Sequence, residues 1–373
     1  MHSLPLYYIV YNCIYYSNRK NFFMKEVRVG LVGLGFMGST HFRIHSGMPG
    51  VKVVALADID PVKRTGDISS VVGNIGGGDN SKPLDLTGVE VFDNGFEMIE
   101  KCDLDMVDIC VPTVWHTDLI IAGLEKGIHV FCEKPLCRNL DELRRLKEKI
   151  AASKSFINIG MCVRAWPEYD AAKKILDSGV TGKVLTANFR RLSPRVHGNS
   201  WNDWYLNDEL SAGVAYDTHL HDSDFIRYLF GRPVSVTSIG LRGAVTKDTH
   251  DHIFTSYNMG DKRFITAECG WCAAPQVPFE MSFQIVCEKA TLKFDHSGFH
   301  IYWNDGKIET PDTGDPAMPT GWHRELKYFT DCVRDGVTPD KFQTPATIFD
   351  GVVIALTEIN AADCGKTLEI EYV

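Results

Sequence analysis

The chain has 373 residues, long enough for two hydrophobic cores, and its 44% hydrophobic and 23% charged residues are ordinary for a globular protein. A formal net charge of −9 without a dense Lys/Arg tract excludes a nucleic-acid partner, since phosphate binding needs clustered positive charge. No run reaches the roughly 18 apolar residues that span a bilayer, so no membrane partner and a cytoplasmic location are expected.

Residues 1–23 are rich in Tyr and Asn but lack the basic start and small-residue cleavage site of a signal peptide. Met24 directly precedes the first strand signal. Residues 1–24 are therefore expected to be an extension, disordered or not native, with Met24 as the biological start. From 27 to 160 strand and helix signals alternate as in a doubly wound domain. Strands are expected over 27–32, 51–57, 89–92, 106–111, 129–132 and 156–159. The clearest helices are 36–46, 117–126 and 140–152, where apolar residues recur at roughly 3.6-residue spacing. The glycine-rich stretch 73–78 has no strand-to-helix junction around it and reads as a flexible loop.

Within that first half, the strand at 27–32 leads into Gly33-Leu34-Gly35-Phe36-Met37-Gly38, which opens a helix. Backbone N–H groups at such a helix N-terminus suit a pyrophosphate. Asp58 ends the second strand, 58 − 38 = 20 residues beyond the last glycine, the offset of a ribose-binding acid. Its carboxylate repels a 2′-phosphate, so NAD is expected over NADP, although Lys63 and Arg64 lie close enough to soften that repulsion. Glu133-Lys134-Pro135 ends the fifth strand and brings an ammonium group near the reactive end of such a cofactor.

After Gly160 the strands 184–191, 234–241, 252–259, 264–272, 280–287, 290–294 and 300–303 follow with few helices between them. Mainly antiparallel pairing in one large open sheet is expected, with helices at 217–230 (closed by Gly231), 324–334 and 346–362. The fold class is thus α/β: a Rossmann dinucleotide-binding domain over 25–160, then an α+β domain over 161–373 for substrate binding and oligomerisation. Its last segment has the option of packing back on the first domain. One sheet face is left uncovered, which predicts a homodimer or homotetramer. Eleven cysteines, an odd number, form no disulfide framework, and Cys269-Gly270-Trp271-Cys272 sits in a strand rather than opening a helix. His219/His221 and His250/His252 lack the converging partners zinc needs, so no metal is expected.

Five motifs in order resemble the glucose-fructose oxidoreductase, inositol dehydrogenase and MocA family: the glycine motif 33–38, Pro112-Thr113 with His116, Gly127 through Pro135, Gly160 with Arg164, and Asp217 to His221 with Asp224 and Gly231. The resemblance runs from about Val27 to the C-terminus. It implies an NAD(P)-dependent oxidoreductase that exchanges a hydride between nicotinamide and a secondary alcohol of a sugar, polyol, inositol or related metabolite. Cofactor contacts are then expected from Gly33, Gly35, Phe36, Met37, Gly38, Asp58, Pro112, Thr113, His116, Glu133, Lys134 and Arg164. Lys134, Asp217 and His221 become the catalytic set. On one helix Asp217 and His221 share a face, so the carboxylate fixes the imidazole tautomer while His221 takes a hydroxyl proton and Lys134 steadies the reacting oxygen. Without the resemblance, Glu133-Lys134-Pro135 reads rather as a salt-bridged turn and the Asp/His pair as a solvated face.

Two departures stand out: His219 where many relatives have glycine, and Cys162-Val163 before Arg164, both expected to shape the substrate pocket. Arg164, Trp166, Arg191, Trp201 and Trp204 are further pocket candidates. Two other readings stay open, a hydrolase or lyase that retains NAD and works by transient oxidation, and a non-catalytic dinucleotide-binding regulator.

Overall fold

The computed structural model describes residues 25–73, 80–195, 206–211 and 213–373. The expectations for residues 1–24, for most of the 73–78 loop and for Trp201 and Trp204 fall outside them.

Six parallel strands, β1 (Val27–Val32), β2 (Val51–Ala57), β3 (Glu90–Phe92), β4 (Met106–Ile109), β5 (His129–Cys132) and β6 (Ile157–Ile159), pair in the order β3-β2-β1-β4-β5-β6. Around them lie α1 (Phe36–Gly47), α2 (Gly95–Lys101), α3 (His116–Glu125) and α4 (Leu140–Ala152). Helices on both faces explain the near-continuous apolar strands, and all four residues of β4 are buried. The order reverses between β1 and β4, and a crevice for a ligand opens at the carboxyl ends of strands around such a switch point. Helix α2 is an addition to the sequence reading. Its seven residues are too short for a periodic signal, and Asn94 starts it by accepting from the Phe96 and Glu97 amides.

A 3-10 turn (Cys162–Ala165) and α5 (Pro167–Asp177) lead into the second sheet. Its strands are β7 (Val184–Pro194), β8 (Ser235–Arg242), β9 (His250–Asn258), β10 (Phe264–Ala273), β11 (Glu280–Cys287), β12 (Ala290–Asp295), β13 (Gly298–Trp303), β14 (Ile308–Glu309) and β15 (Leu368–Glu369). They pair in the order β14-β13-β12-β11-β7-β10-β9-β8-β15, all antiparallel except β7 with β10. The inner face carries Phe189 and Phe283, whose rings join Tyr169 of α5 in one aromatic core. The outer face leaves Ile239, Phe254 and Phe264 exposed.

The helix expected over 217–230 is broken. After α6 (Asp208–Ser211), α7 (Gly213–Asp217) ends where the amides of Thr218 and His219 both donate to the Val214 carbonyl, and α8 (Leu220–Phe230) starts afresh. Asp217 and His221 therefore do not lie on one helix, although both line one cavity, and side-chain spacing alone does not reveal the break.

Two capped helices close the chain. Helix α9 (Gly321–Asp335) starts at Thr320 and lies on α1 and the 3-10 turn. Helix α10 (Pro345–Cys364) starts with a Thr344/Thr347 capping box and packs on β8 and α8. By length and composition α10 is apolar enough to cross a bilayer, but 56% of its most apolar window is buried inside the protein. All the described cysteines are free; Cys269 and Cys272 lie three residues apart on β10, hence on opposite faces.

Candidate active site

The glycine loop joins β1 to α1. Gly33 has φ +94° and a Cβ there would lie 2.6 Å from the Cys110 carbonyl oxygen; a Cβ on Gly38 would lie 1.8 Å from the Gly33 oxygen. Both glycines are demanded by the tight turn and by close packing of helix on strand. Gly35 differs, since nothing lies within 4 Å of its would-be Cβ. It is the N-cap residue of α1, without a side-chain cap and without acidic residues in the first turn. Open space in front of uncapped amides fits a pyrophosphate. Asp58 stands at the tip of β2, where Oδ2 accepts from the Leu34 amide at 2.6 Å and Oδ1 from the Asp60 amide at 2.8 Å. Phe36 and Met37 turn toward a cavity of about 480 Å³ that also holds Glu133, Lys134, Asp217 and His221.

In that cavity Lys134 Nζ donates to the main-chain oxygen of Asp217 at 2.8 Å and to its Oδ1 at 3.0 Å. Burial disfavours the ammonium, but Asp217 and then Glu133 outweigh it, so the Lys134 pKa is raised and the group is cationic. Two of its three N–H bonds are spent, which leaves one for a ligand oxygen. His221 Nδ1 has no hydrogen-bond partner. Burial first, then Lys134 and Arg191, hold the His221 pKa well below its ordinary value, so its imidazole is neutral. The expected Asp217–His221 pairing is corrected on this point: the carboxylate serves Lys134 and Thr218, whose hydroxyl donates to Oδ2 at 3.0 Å.

Other expected site residues are placed elsewhere. Arg164 is 1% exposed, and its guanidinium meets Asp224 at 2.7 and 2.5 Å and the Phe342 carbonyl at 2.6 Å. It ties the 3-10 turn to α8 and the segment before α10 and does not line the cavity, which corrects both roles expected of it. His116 is buried with Nδ1 2.6 Å from the Pro135 oxygen and Nε2 2.8 Å from the Val111 oxygen, so its ring braces the loops that carry Pro112 and Lys134. Thr113, buried, and Pro112 open the short turn after β4. His219 is the other correction: it is fully buried away from the cavity, 3.2 Å from the Thr255 hydroxyl, and burial first, then Arg191 and His252, push its pKa down to about 3.

Cys162, Val163, Trp166 and Arg191 do line the cavity, Arg191 locked onto Asp222 by two bonds of 3.1 and 2.9 Å. Sequence reading missed Trp322 of α9, which meets Trp166 edge-to-face with centroids 5.4 Å apart, and Glu280, Asp295 and His296 on the far wall. Nothing local marks them, because they reach the cavity from distant hairpins and from a helix about 160 residues beyond the 3-10 turn.

A doubly wound sheet with a glycine-loop anion cradle, opening on a cavity that holds a lysine ammonium and a neutral imidazole, defines a dinucleotide-dependent oxidoreductase. Residues 27–160 match the model of the oxidoreductase family with an NAD-binding Rossmann fold, and residues 169–293 match the GFO/IDH/MocA C-terminal domain. The chain belongs to the GFO/IDH/MocA family, and it is an NAD-dependent oxidoreductase acting on CH–OH groups. It is 30% identical to inositol 2-dehydrogenase 4 of Saccharopolyspora erythraea over 84% of this chain and 87% of that one. With scyllo-inositol 2-dehydrogenase (NAD(+)) of Bacillus subtilis it shares 27% over 89% and 93%. Among solved structures, myo-inositol 2-dehydrogenase from Lactobacillus plantarum superposes with a TM-score of 0.76 at 23% identity, covering 93% of this chain and 100% of that one. Levoglucosan dehydrogenase, in complex with NADH and levoglucosan, gives 0.76 at 19%, covering 92% and 99%.

Proposed function

We propose that the protein oxidises a ring-borne secondary alcohol of a cyclic polyol, an inositol or a close relative, to the ketone, with Lys134 and His221 serving the reacting oxygen. The observation that carries this reading is that Lys134, with one N–H still free for a ligand, and the neutral imidazole of His221 line one cavity with Phe36 and Met37 of the glycine loop.

The amides at the start of α1 hold the pyrophosphate and Asp58 the adenosine ribose, as its expected role requires. NAD, when bound, supplies the nicotinamide ring that takes the hydride and loses a positive charge in doing so. His221, neutral beforehand, removes the hydroxyl proton. Its cation is disfavoured by burial and beside Lys134 and Arg191, so the ring starts neutral and would readily pass the proton on. Lys134 donates its remaining N–H to the oxygen, which lowers the cost of alkoxide character, and Asp217 keeps Lys134 aimed. The Trp166 and Trp322 rings offer apolar faces to the C–H side of a ring substrate, while Glu280 and Asp295 accept its hydroxyl protons.

The protein works as a homo-oligomer through the uncovered outer face of the large sheet, in the cytoplasm. The test of the reaction is absorbance of reduced nicotinamide with NAD against inositol isomers, anhydrosugars, open-chain polyols and sugar acids. Turnover with inositols ahead of the rest supports the assignment. Turnover with another class overturns the substrate, and NAD that stays bound without net reduction points to the hydrolase or lyase alternative.

A further inference from the structure

Among the described residues, four buried polar atoms without a hydrogen-bond partner belong to one group beneath Lys134: His41 Nε2, Glu133 Oε1 and both oxygens of Glu325. His41 sits on α1, three residues past Gly38, and is fully buried, with its ring edge-on to Phe131. Its Nδ1 lies 3.0 Å from Asp108 Oδ2 and its Nε2 lies 3.4 Å from Glu133 Oε1. Both ring nitrogens thus face carboxylate oxygens, and the doubly protonated ring alone offers a proton to each; a neutral ring turns a lone pair on one of them.

The surroundings agree. From α1 itself comes His45, whose Nε2 lies 2.8 Å from the same Asp108 oxygen. From β4 come Asp108 and Cys110, the latter with Sγ 3.3 Å from His41 Nδ1. Burial drives the Cys110 pKa far up, so it is a neutral thiol and adds no charge. From α9 comes Glu325, whose pKa burial and then Glu133 push well up, so it is a neutral acid that brings no competing anion. Burial works against a charged His41, while Cys110 and then Asp108 act to raise its pKa; with Cys110 a neutral thiol, the Asp108 carboxylate 3.0 Å away is the charge that remains. On the far side, Glu133 Oε2 accepts from the Lys134 amide at 3.1 Å, and Glu133 is so closely packed that a Cβ on Gly160 would come within 2.7 Å of its Oε1.

We propose that His41 is a buried imidazolium clamped between Asp108 and Glu133 and acts as a positioning residue, tying the dinucleotide-binding helix through Glu133 to the main chain that carries Lys134. Its effect on turnover rests on the catalytic role given to Lys134 above; its protonation state does not. An uncompensated Glu133 carboxylate in this pocket would seek a cation, and Lys134 is the nearest one in sequence. His41 supplies that charge from below and leaves Lys134 to Asp217 and the substrate.

Nitrogen-15 NMR of histidine-labelled protein with NAD, followed from pH 6 to 9, reads the state of His41 directly. The expected result is one imidazolium with both ring protons that persists at pH 9 and is missing from His41→Gln. If every histidine is neutral at pH 8, the proposal is wrong. In kinetics, His41→Gln lowers kcat about 10- to 100-fold with NAD affinity nearly unchanged, and the loss largely disappears when measured on a Glu133→Gln background. Multiplying losses in the double variant overturn positioning through Glu133. Should His41→Gln not fold, Glu133→Gln decides: its imidazolium titrates at lower pH than in the wild type, and an unmoved titration sinks the clamp. Lys134→Ala, run alongside, separates a failed reaction assignment from a failed clamp, because the NMR signal does not depend on turnover.

Discussion

Lys134 Nζ lies 2.8 Å from the main-chain oxygen of Asp217 and 3.0 Å from its carboxylate, a contact made across 83 residues of sequence. It joins the end of β5 to the end of α7 and so brings the first sheet's crevice and the second region's helix break into one cavity. The double contact aims the ammonium and sets its charge. Lys134→Ala is expected to lower kcat by a factor on the order of 10² to 10⁴ while NAD affinity changes little. Asp217→Asn keeps the shape but removes the anion, so the Lys134 pKa falls and the alkaline limb of the kcat profile moves to lower pH. A profile identical to wild type would remove Asp217 from this role.

His221 carries the opposite shift. Its folded pKa is depressed, so the base stays available below pH 6.5, and the acid limb of kcat/KM is expected well under the ordinary histidine value. The stability linkage has the same sign: the neutral buried ring contributes stability above the unfolded pKa near ~6.5, and this is lost as pH falls toward the folded value. His221→Gln should cost about 10²- to 10⁴-fold in kcat and flatten the acid side of the stability curve. Retention of most of the rate by this variant would assign the proton to another group.

Gly38 and Gly35 make a matched pair. Gly38→Ala forces a methyl against the Gly33 carbonyl and is expected to cost on the order of 3 kcal/mol, read by thermal unfolding. Gly35→Ala points its methyl into open space, so the fold holds but the amide cradle fills; NAD affinity should drop by about tenfold or more, or ~1.4 kcal/mol. Equal NAD affinity in wild type and Gly35→Ala contradicts the pyrophosphate site.

Arg164 separates structure from cofactor binding. Its bond pair to Asp224 is fully buried, and Arg164→Ala leaves an uncompensated carboxylate, expected to destabilise by about 3–5 kcal/mol. In whatever fraction remains folded at low temperature, NAD affinity measured by fluorescence should be near that of the wild type. A selective loss of NAD binding without loss of stability would restore the cofactor role.

Ile239 of β8 and Phe254 of β9 are cross-strand partners on the open face, 72% and 38% exposed. Apolar neighbours left bare on a nine-stranded sheet predict self-association there. Light scattering at micromolar concentration should show a dimer or tetramer, and Ile239→Lys with Phe254→Lys should shift it toward monomer with the fold intact. A wild-type monomer would end the idea.

Much of the first region was legible in the sequence because its signals are local. The span 27–32 carries its own strand pattern, the glycine motif its own turn, and Asp58 its distance from Gly38, so β1, α1, β2 and the dinucleotide site follow from residues within 32 positions of one another. Lys134 was legible for the same reason, as the end of a strand. The pairing of that lysine was not. Side-chain spacing makes Asp217 and His221 neighbours on one helix, whereas hydrogen bonding by Thr218 and His219 to Val214 stops that helix, and the Asp217 carboxylate bonds Lys134 and Thr218 instead. Composition likewise names Arg164, His219 and Trp322 as charge, imidazole and ring without saying which way each faces. The sequence determined the element types and the chemistry available. Tertiary structure alone decided that Arg164 is neutralised by Asp224, that His219 is buried in the core, that Trp322 reaches the cavity and that His41 lies between two carboxylates, because burial and charge pairing depend on contacts between segments that no local pattern encodes.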